Sequence, residues 1–432
     1  MLRIALPLAL AELGWMFMSV VDNVMVGRLP NSATAIGAAS LGSASFYAFA
    51  IFGIGLMSGL DTLVSHAFGA NDLPTARRAF ASSLVLALAV APILAAAILA
   101  LTPLLGLLGV TDEIRTSAVA FARILVLSLP LLLLYTCLRR YLQGIHYVRP
   151  IPFVLVTANL VNLFGNWLLI YGHWGFPALG VEGSALSTVL ARVYLVGALL
   201  LAIRHRDPAA LRHLRPNRMI LNKLFRLGLP AALTIGFEVG IFNLVTALVA
   251  VLDPVSLAAH TIVLNAASVT YMVPLGICSA AAVSVGRALG ANDPTTARRA
   301  GWTALGIAAI FEVGAALAFI LLPGPIARIY THDQRVISFS ASLFAIAALF
   351  QLFDGVQTVA TGALRGAANT RTALAWNLVC YWVVALPLGC WLGYRQHWGA
   401  VGFWDALCLA LILIAAGLTT KWYFLTKFWK TT

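Results

Sequence analysis

Uninterrupted apolar stretches constrain this chain more than any single motif. Runs such as Ala79–Leu101 and Trp302–Leu322 recur along its whole length, and a run of about twenty apolar residues crosses a hydrocarbon core roughly 30 Å thick. A soluble α/β chain would show shorter runs broken by amphipathic faces. Of the 432 residues, 61% are hydrophobic and 10% are charged, whereas soluble domains carry about 25% charged residues. The chain therefore reads as an all-α polytopic membrane protein. Polar, Pro-bearing and Gly-bearing breaks divide it into twelve expected transmembrane helices, at 4–27, 34–67, 79–106, 115–142, 150–171, 180–204, 222–250, 255–288, 300–322, 336–364, 371–393 and 400–425. The start of the chain lacks the basic end, short apolar core and small-residue cleavage site of a signal peptide. Its first apolar segment, Ile4–Gly27, carries Glu12 and Asp22 and reads as the first span. Five cysteines, Cys137, Cys278, Cys380, Cys390 and Cys408, lie in or beside apolar segments without C-x-x-C spacing. Neither a disulfide framework nor a zinc site is expected.

One polar stretch is written twice. FGANDLPTARRA from Phe68 returns as LGANDPTTARRA from Leu289, 221 positions later. The echo continues in Leu142-Gln143-Gly144 with Leu364-Arg365-Gly366, and in His173-Trp174-Gly175 with His397-Trp398-Gly399. The repeat is half of the protein, not a solenoid unit of roughly twenty to fifty residues. The polar connector RHRDPAALRHLRPNR, Arg204–Arg218, separates an expected N-lobe, 1–204, from a linker, 205–221, and a C-lobe, 222–432.

Basic residues set the orientation. With the N-terminus in the cytoplasm, 21 of the 28 Lys and Arg residues fall on the inner side, Arg77, Arg78, Arg298, Arg299 and Lys430 among them, which is a positive-inside distribution. Topology and contact with anionic lipid account for the net charge of +13 without nucleic acid. Both GAND loops then lie on the cytoplasmic side with six spans per repeat, so the repeats are parallel. Two pseudo-symmetric six-helix lobes around a central cleft are expected, an architecture of secondary transporters with binding near the bilayer midplane. Both termini are expected in the cytoplasm of a cell whose plasma (inner) membrane holds the chain.

Acids inside spans are the exceptions that point to function, because a charge near the bilayer centre costs about 2.5–3.5 kcal/mol on insertion scales. Asp22, Glu238 and Asp354 stand out in spans 1, 7 and 10. Leu6-Pro7 matches Leu229-Pro230 at an offset of 223, yet Glu238 lies 216 after Asp22, so the two halves carry their acids at different depths. Span 10 has a polar face, Gln351, Asp354, Thr358, Thr361 and Arg365, at helical steps. Span 5 repeats the habit with Asn159, Asn162 and Asn166. Such groups can coordinate Na⁺ or hold a protonatable acid; the plain alternative is hydrogen-bonded glue between helices. Glu12 and Asp61 lie nearer the cytoplasmic ends and read as meeting water or loop arginines. Arg192 calls for a carboxylate or backbone partner. His66 and His260 read first as satisfied core histidines, and Gly53, Gly55 and Gly59 as helix-packing positions rather than a nucleotide loop. There is no Walker sequence, metal motif or nucleophile elbow, so neither an ATP-driven pump nor an enzyme is the expected reading.

Several stretches in order carry a family resemblance: VVDNVMVGRL (Val20–Leu29), GLDTLVSHAFGA (Gly59–Ala70), NLFGNWLLIYG (Asn162–Gly172), GFEVGIF (Gly236–Phe242), LAAHTIVLN (Leu257–Asn265), AAVSVGRALGA (Ala281–Ala291) and FQLFDGVQTVATGALRG (Phe350–Gly366). Over nearly its full length the chain resembles the multidrug and toxic compound extrusion (MATE) family, and the acids in FEV and FQLFD resemble its NorM-like branch. The resemblance implies a cation-coupled antiporter, driven by Na⁺ or H⁺ and needing no cofactor, that exports cationic amphipathic drugs or toxic organic compounds by alternating access. By motif, Asp22, Asn162, Asn166 and Ser184 match the family's N-lobe cation or proton site, and Glu238 and Asp354 its C-lobe cation site, with Na⁺ the candidate metal there. Asp22, Glu238, Phe350, Asp354, Thr358, His260 and Asn265 are the candidates for the substrate cleft. Phe350 stands where relatives can carry Tyr, and His66 where Gln is common. The expected partners are small organic cations, Na⁺ or H⁺ and the bilayer, with no nucleic acid, and a monomer is expected. Two rivals stay open: a lipid-linked oligosaccharide flippase of the wider superfamily, which should line its cleft with basic residues, and a non-transporting receptor or scaffold.

Overall fold

The computed structural model describes residues 1–108, 111–212 and 214–429, with backbone alone at 104, 107 and 108. His213 of the expected linker, Lys430 of the inner basic set and the end of the expected C-lobe from 430 lie outside the described residues. Among those residues every regular element is helical: α1 (Leu2–Val26), α2 (Ser32–Leu56), α3 (Gly59–Gly69), α4 (Leu73–Leu101), α5 (Asp112–Leu127), α6 (Leu129–Gly144), α7 (Pro150–Tyr171), α8 (Gly180–Arg206), α9 (Pro208–Arg212), α10 (Arg218–Ala250), α11 (Pro254–Gly290), α12 (Pro294–Leu321), α13 (Pro323–Arg328), α14 (Gln334–Gly366), α15 (Arg371–Asn377), α16 (Leu386–Cys390) and α17 (Ala400–Lys427). Eleven helical spans among the described residues are long and apolar enough to cross a membrane, and α5 with α6, which meet at 45°, make a twelfth when taken as one broken span. The fold is that of an all-α polytopic membrane protein.

Among the described residues three spans are interrupted. α2 gives way to α3 at Met57-Ser58, and α5 to α6 at Ser128, where the Ser128 hydroxyl bonds the Leu125 carbonyl at 2.6 Å and Pro130 follows. The eleventh span, Arg371–Arg395, passes through wider π-helical turns at Leu378–Ala385 and Trp391–Arg395. Pro387 between them has no N–H to offer the regular ladder.

The duplicated GAND stretch is a helix-to-helix connector. Asn71 and Asn292 take left-handed backbone, φ 58° and 56°, a conformation that asparagine tolerates better than most residues. The next residue caps the following helix: Asp72 accepts from the Thr75 N–H at 3.0 Å, and Asp293 from Thr296 at 2.9 Å. These bonds hold both exposed carboxyls below the usual aspartate range. Left-handed residues recur at nearly the same spacing, 222 and 223 positions, in His146 with Ala368 and Trp174 with His397.

The chain packs as two compact units, Leu10–Ala232 and Met1–Ala9 with Leu233–Thr432, so the division runs through α1 and α10. In the first unit the connector after α8 is tied down. Arg77 grips both Asp207 oxygens, with Nη2 at 2.7 Å, and the Tyr141 hydroxyl donates to Asp207 at 2.5 Å. Burial pushes the Asp207 carboxyl up, but the bonds from Arg77 and Tyr141 outweigh it and hold the group below the usual range.

Candidate functional site

Each unit gathers amides and hydroxyls around an acid. In the first, Asp22 is half-buried on α1. It accepts from the Asn166 amide of α7 at 2.6 Å and from the Thr188 hydroxyl of α8 at 3.2 Å. The Asn166 amide also lies 3.3 Å from the Asn162 side-chain carbonyl, one turn earlier. Ser187 donates to the Asn162 backbone carbonyl at 2.7 Å. α7 and α8 approach this closely because residue 165 is glycine: a Cβ there would stand 2.5 Å from Ser187 Oγ. Asp22, Asn162 and Asn166 are thus brought together. Ser184 sits one turn before Thr188, but its buried hydroxyl makes no hydrogen bond among the described residues. The hydroxyl that reaches Asp22 belongs to Thr188, four residues on along the same face, a step the sequence reading did not take.

Arg192, one turn beyond Thr188, is buried and bonds the hydroxyls of Ser128 and Tyr47 while its guanidinium lies 4.8 Å over the Phe46 ring. The expected carboxylate or backbone partner is replaced by hydroxyls and an aromatic face, which a flat, delocalised cation accepts well. Asp22 acts on it only at longer range. Glu12 pairs with Arg139 and Asp61 with Arg140. These arginines are on α6 rather than in a loop, and they give both acids a permanent counter-charge.

In the second unit Glu238 of α10 is half-buried and Asp354 of α14 is buried. The Gln357 amide connects them, donating to Glu238 at 3.1 Å and to Asp354 at 3.2 Å, and lies 3.1 Å from the Thr358 hydroxyl. Thr358 is 3.4 Å from the Tyr271 hydroxyl of α11. Phe350, one turn before Asp354, meets Phe242 at 5.9 Å and Trp404 at 5.3 Å. Phe242, one turn after Glu238, also meets the buried Tyr381 of the π-helical segment at 6.0 Å. Hydroxyls on this wall therefore come from Tyr271, Thr358 and Tyr381. Two candidates stand apart from the acid pair. His260 is buried between Thr246, at 2.9 Å, and the Trp404 indole, at 3.1 Å, and Asn265 is exposed on α11.

Two further residues escaped the sequence reading. Gln357 lies three positions after Asp354, a spacing that puts both on one helix face. Glu312 is buried on α12 inside Trp302–Leu322, a run read as apolar; a Cβ at Gly355 would lie 2.4 Å from its Cγ, so the glycine beside Asp354 makes its seat. Among the described residues no three His, Cys, Asp or Glu side chains gather around a possible metal position. The groups present are carboxylates, amides and hydroxyls, hard oxygen donors suited to Na⁺ or to a proton.

Duplicated helical halves with such acids inside their spans define a membrane transporter rather than an enzyme. The family model MatE matches twice, at residues 7–168 and 230–391, at the spacing of Pro7 and Pro230. The chain belongs to the MatE family. It is 35% identical over 430 residues to a probable multidrug resistance protein NorM of Pseudomonas aeruginosa, covering 97% of this chain and 87% of the relative. It is 35% identical over 435 residues to the multidrug resistance protein NorM of Burkholderia vietnamiensis, covering 98% and 93%. Its fold is similar to a eukaryotic MATE transporter, with a TM-score of 0.87 at 21% identity over 99% of this chain and 96% of that one. It is also similar to a MOP superfamily transporter from Pyrococcus furiosus, with a TM-score of 0.89 at 19% identity over 100% and 96%.

Proposed function

We propose that this transporter is a cation-coupled antiporter that exports cationic amphipathic drugs or other toxic organic compounds; its relatives are named multidrug resistance proteins. The observation that carries the reading is the company of three acids. Asp22, Glu238 and Asp354 are hydrogen-bonded to amides and a hydroxyl, and none joins an ion pair among the described residues. Glu12 and Asp61, by contrast, are committed to arginines. A membrane acid without a fixed counter-charge can exchange one positive partner for another. Asp22 with Asn162, Asn166 and Ser184, and Glu238 with Asp354, are the proposed coupling sites; Phe350 and Thr358 add substrate contacts beside the second.

Inward Na⁺ or H⁺ neutralises or occupies these carboxylates and weakens their hold on the cationic cargo. Two access states that bind ion and cargo differently then link the fluxes. The inner membrane, with both termini in the cytoplasm, is the proposed setting, supported by the distribution of basic residues. The test is reconstitution in liposomes with Na⁺ and H⁺ gradients imposed separately. Export of an organic cation should follow at least one gradient, and export driven by neither would defeat the coupling. Wild-type transport by both Glu238→Gln and Asp354→Asn would defeat the site.

A further inference from the structure

Gln357 is the one side chain among the described residues that hydrogen-bonds both Glu238 and Asp354, and its nitrogen also lies 3.1 Å from Thr358 Oγ1. An amide carries two N–H groups, so three acceptors compete for two protons. Nearby groups do little to relieve the shortage. Tyr271 faces Thr358 at 3.4 Å. The Tyr381 hydroxyl is buried and makes no hydrogen bond among the described residues, although the charges of Glu238 and Asp354 both reach it. Glu312 adds another acid beside Gly355 and Gln351, and Asp354 acts on it. Two neighbouring carboxylates are therefore bridged by a single neutral amide. Any cation settling between them competes for the oxygens that the amide now serves, and the amide protons point toward where positive charge would sit.

We propose that Gln357 is a placeholder: its N–H groups bridge Glu238 and Asp354 when no cation is held, and an arriving cation displaces that bridge. Gln357 thereby sets how tightly the pair keeps a cation and how readily it lets go. The inference rests on the reading of Glu238 and Asp354 as a cation site, and it adds a positioning residue that competes with the ion instead of binding it.

The sign of the effect separates this role from a structural one. In Gln357→Met, which keeps the length and loses both N–H groups, the cation no longer has to displace charge-assisted hydrogen bonds. Dissociation constants for Na⁺ and for tetraphenylphosphonium, measured on the purified full-length protein against choline, should fall by about tenfold or more. In proteoliposomes both KM and kcat for tetraphenylphosphonium export should drop, because release becomes slow. A residue that only shapes the site would loosen binding when removed, so unchanged or weaker binding by a folded Gln357→Met overturns the proposal. A second measurement does not depend on that variant. In wild-type protein with ¹⁵N-labelled glutamine, the side-chain amide signal lost in Gln357→Asn should move on saturation with either cation; a stationary signal overturns the proposal. A wild type that binds neither probe sinks the cation-site reading as well, whereas tight wild-type binding left unaltered by Gln357→Met sinks this inference alone.

Discussion

A carboxylate inside a membrane-crossing helix must be compensated, and the kind of compensation decides what it can do. Asp61 is fully buried against Arg140. Asp61→Asn removes the charge with which the buried acid holds the half-buried Arg140 guanidinium, and breaking a buried pair costs up to about 3–5 kcal/mol; a lowered thermal midpoint in detergent checks it. Asp22 and Asp354 have neutral partners, so Asp22→Asn and Asp354→Asn keep the shape and one accepting oxygen for the Asn166 or Gln357 amide, and the Thr188 hydroxyl, which can also accept, can meet the new N–H at position 22. Each should leave the thermal midpoint near wild type while gradient-driven export in proteoliposomes falls by about tenfold or more, the effect of losing about 1.4 kcal/mol or more at the exchanging group. Sequence alone picks out these acids because they interrupt apolar runs. It does not reveal that Thr188 rather than Ser184 reaches Asp22, or that Gln357 spans Glu238 and Asp354. Those are facts about rotamers and helix rotation, settled by packing between segments far apart in the chain. Glu312 escaped for a related reason: a single acid in a long apolar run hardly alters the run's character until its neighbour, Gly355, is seen to make room for it.

At the scale of the element, span boundaries were legible to within several residues, since apolarity, capping aspartates and prolines all act locally. α7 begins and ends where the apolar pattern predicts, Pro150–Tyr171. Interruptions were not legible. Pro7, Pro92, Pro230 and Pro274 sit inside continuous helices, whereas the turns near Pro130 and Pro387 are broken or widened, so proline by itself does not report a break. Neighbouring helices decide whether the freed backbone groups are satisfied in place. Close crossings make a sharper prediction. A Cβ on Gly228 would lie 1.9 Å from the Leu56 carbonyl oxygen, whereas one on Gly236 would meet nothing within 4 Å. Gly228→Ala should therefore lower the yield of folded protein and its thermal midpoint, and Gly236→Ala should leave both near wild type; fluorescence-detected size exclusion and thermal unfolding distinguish them.

For the whole molecule, the connector after α8 offers a stability test with a defined sign. The folded-state value of Asp207 is depressed by its bonds to Arg77 and Tyr141, against the upward push of burial. Its contribution is fully present above the unfolded aspartate value of about 3.9. It is lost as pH falls through the lower folded-state value, because the unfolded chain takes up the proton first. The thermal midpoint of the wild type should exceed that of Asp207→Asn near neutral pH, and the gap should narrow as pH is lowered below the unfolded value of about 3.9. A gap independent of pH would show that the carboxylate charge does not matter there.

Apolar length and duplication determined, from sequence alone, that the chain crosses a membrane as helices and is built from two related halves. Both properties depend only on how many greasy residues follow one another and on which short motifs return. The tertiary structure decided the rest: which arginine neutralises which acid, which amide joins Glu238 to Asp354, and where a span bends. The physical reason is range. Insertion into hydrocarbon is governed by each segment separately, whereas a hydrogen bond between helices needs two segments brought within about 3 Å, and no local pattern in either one records that meeting.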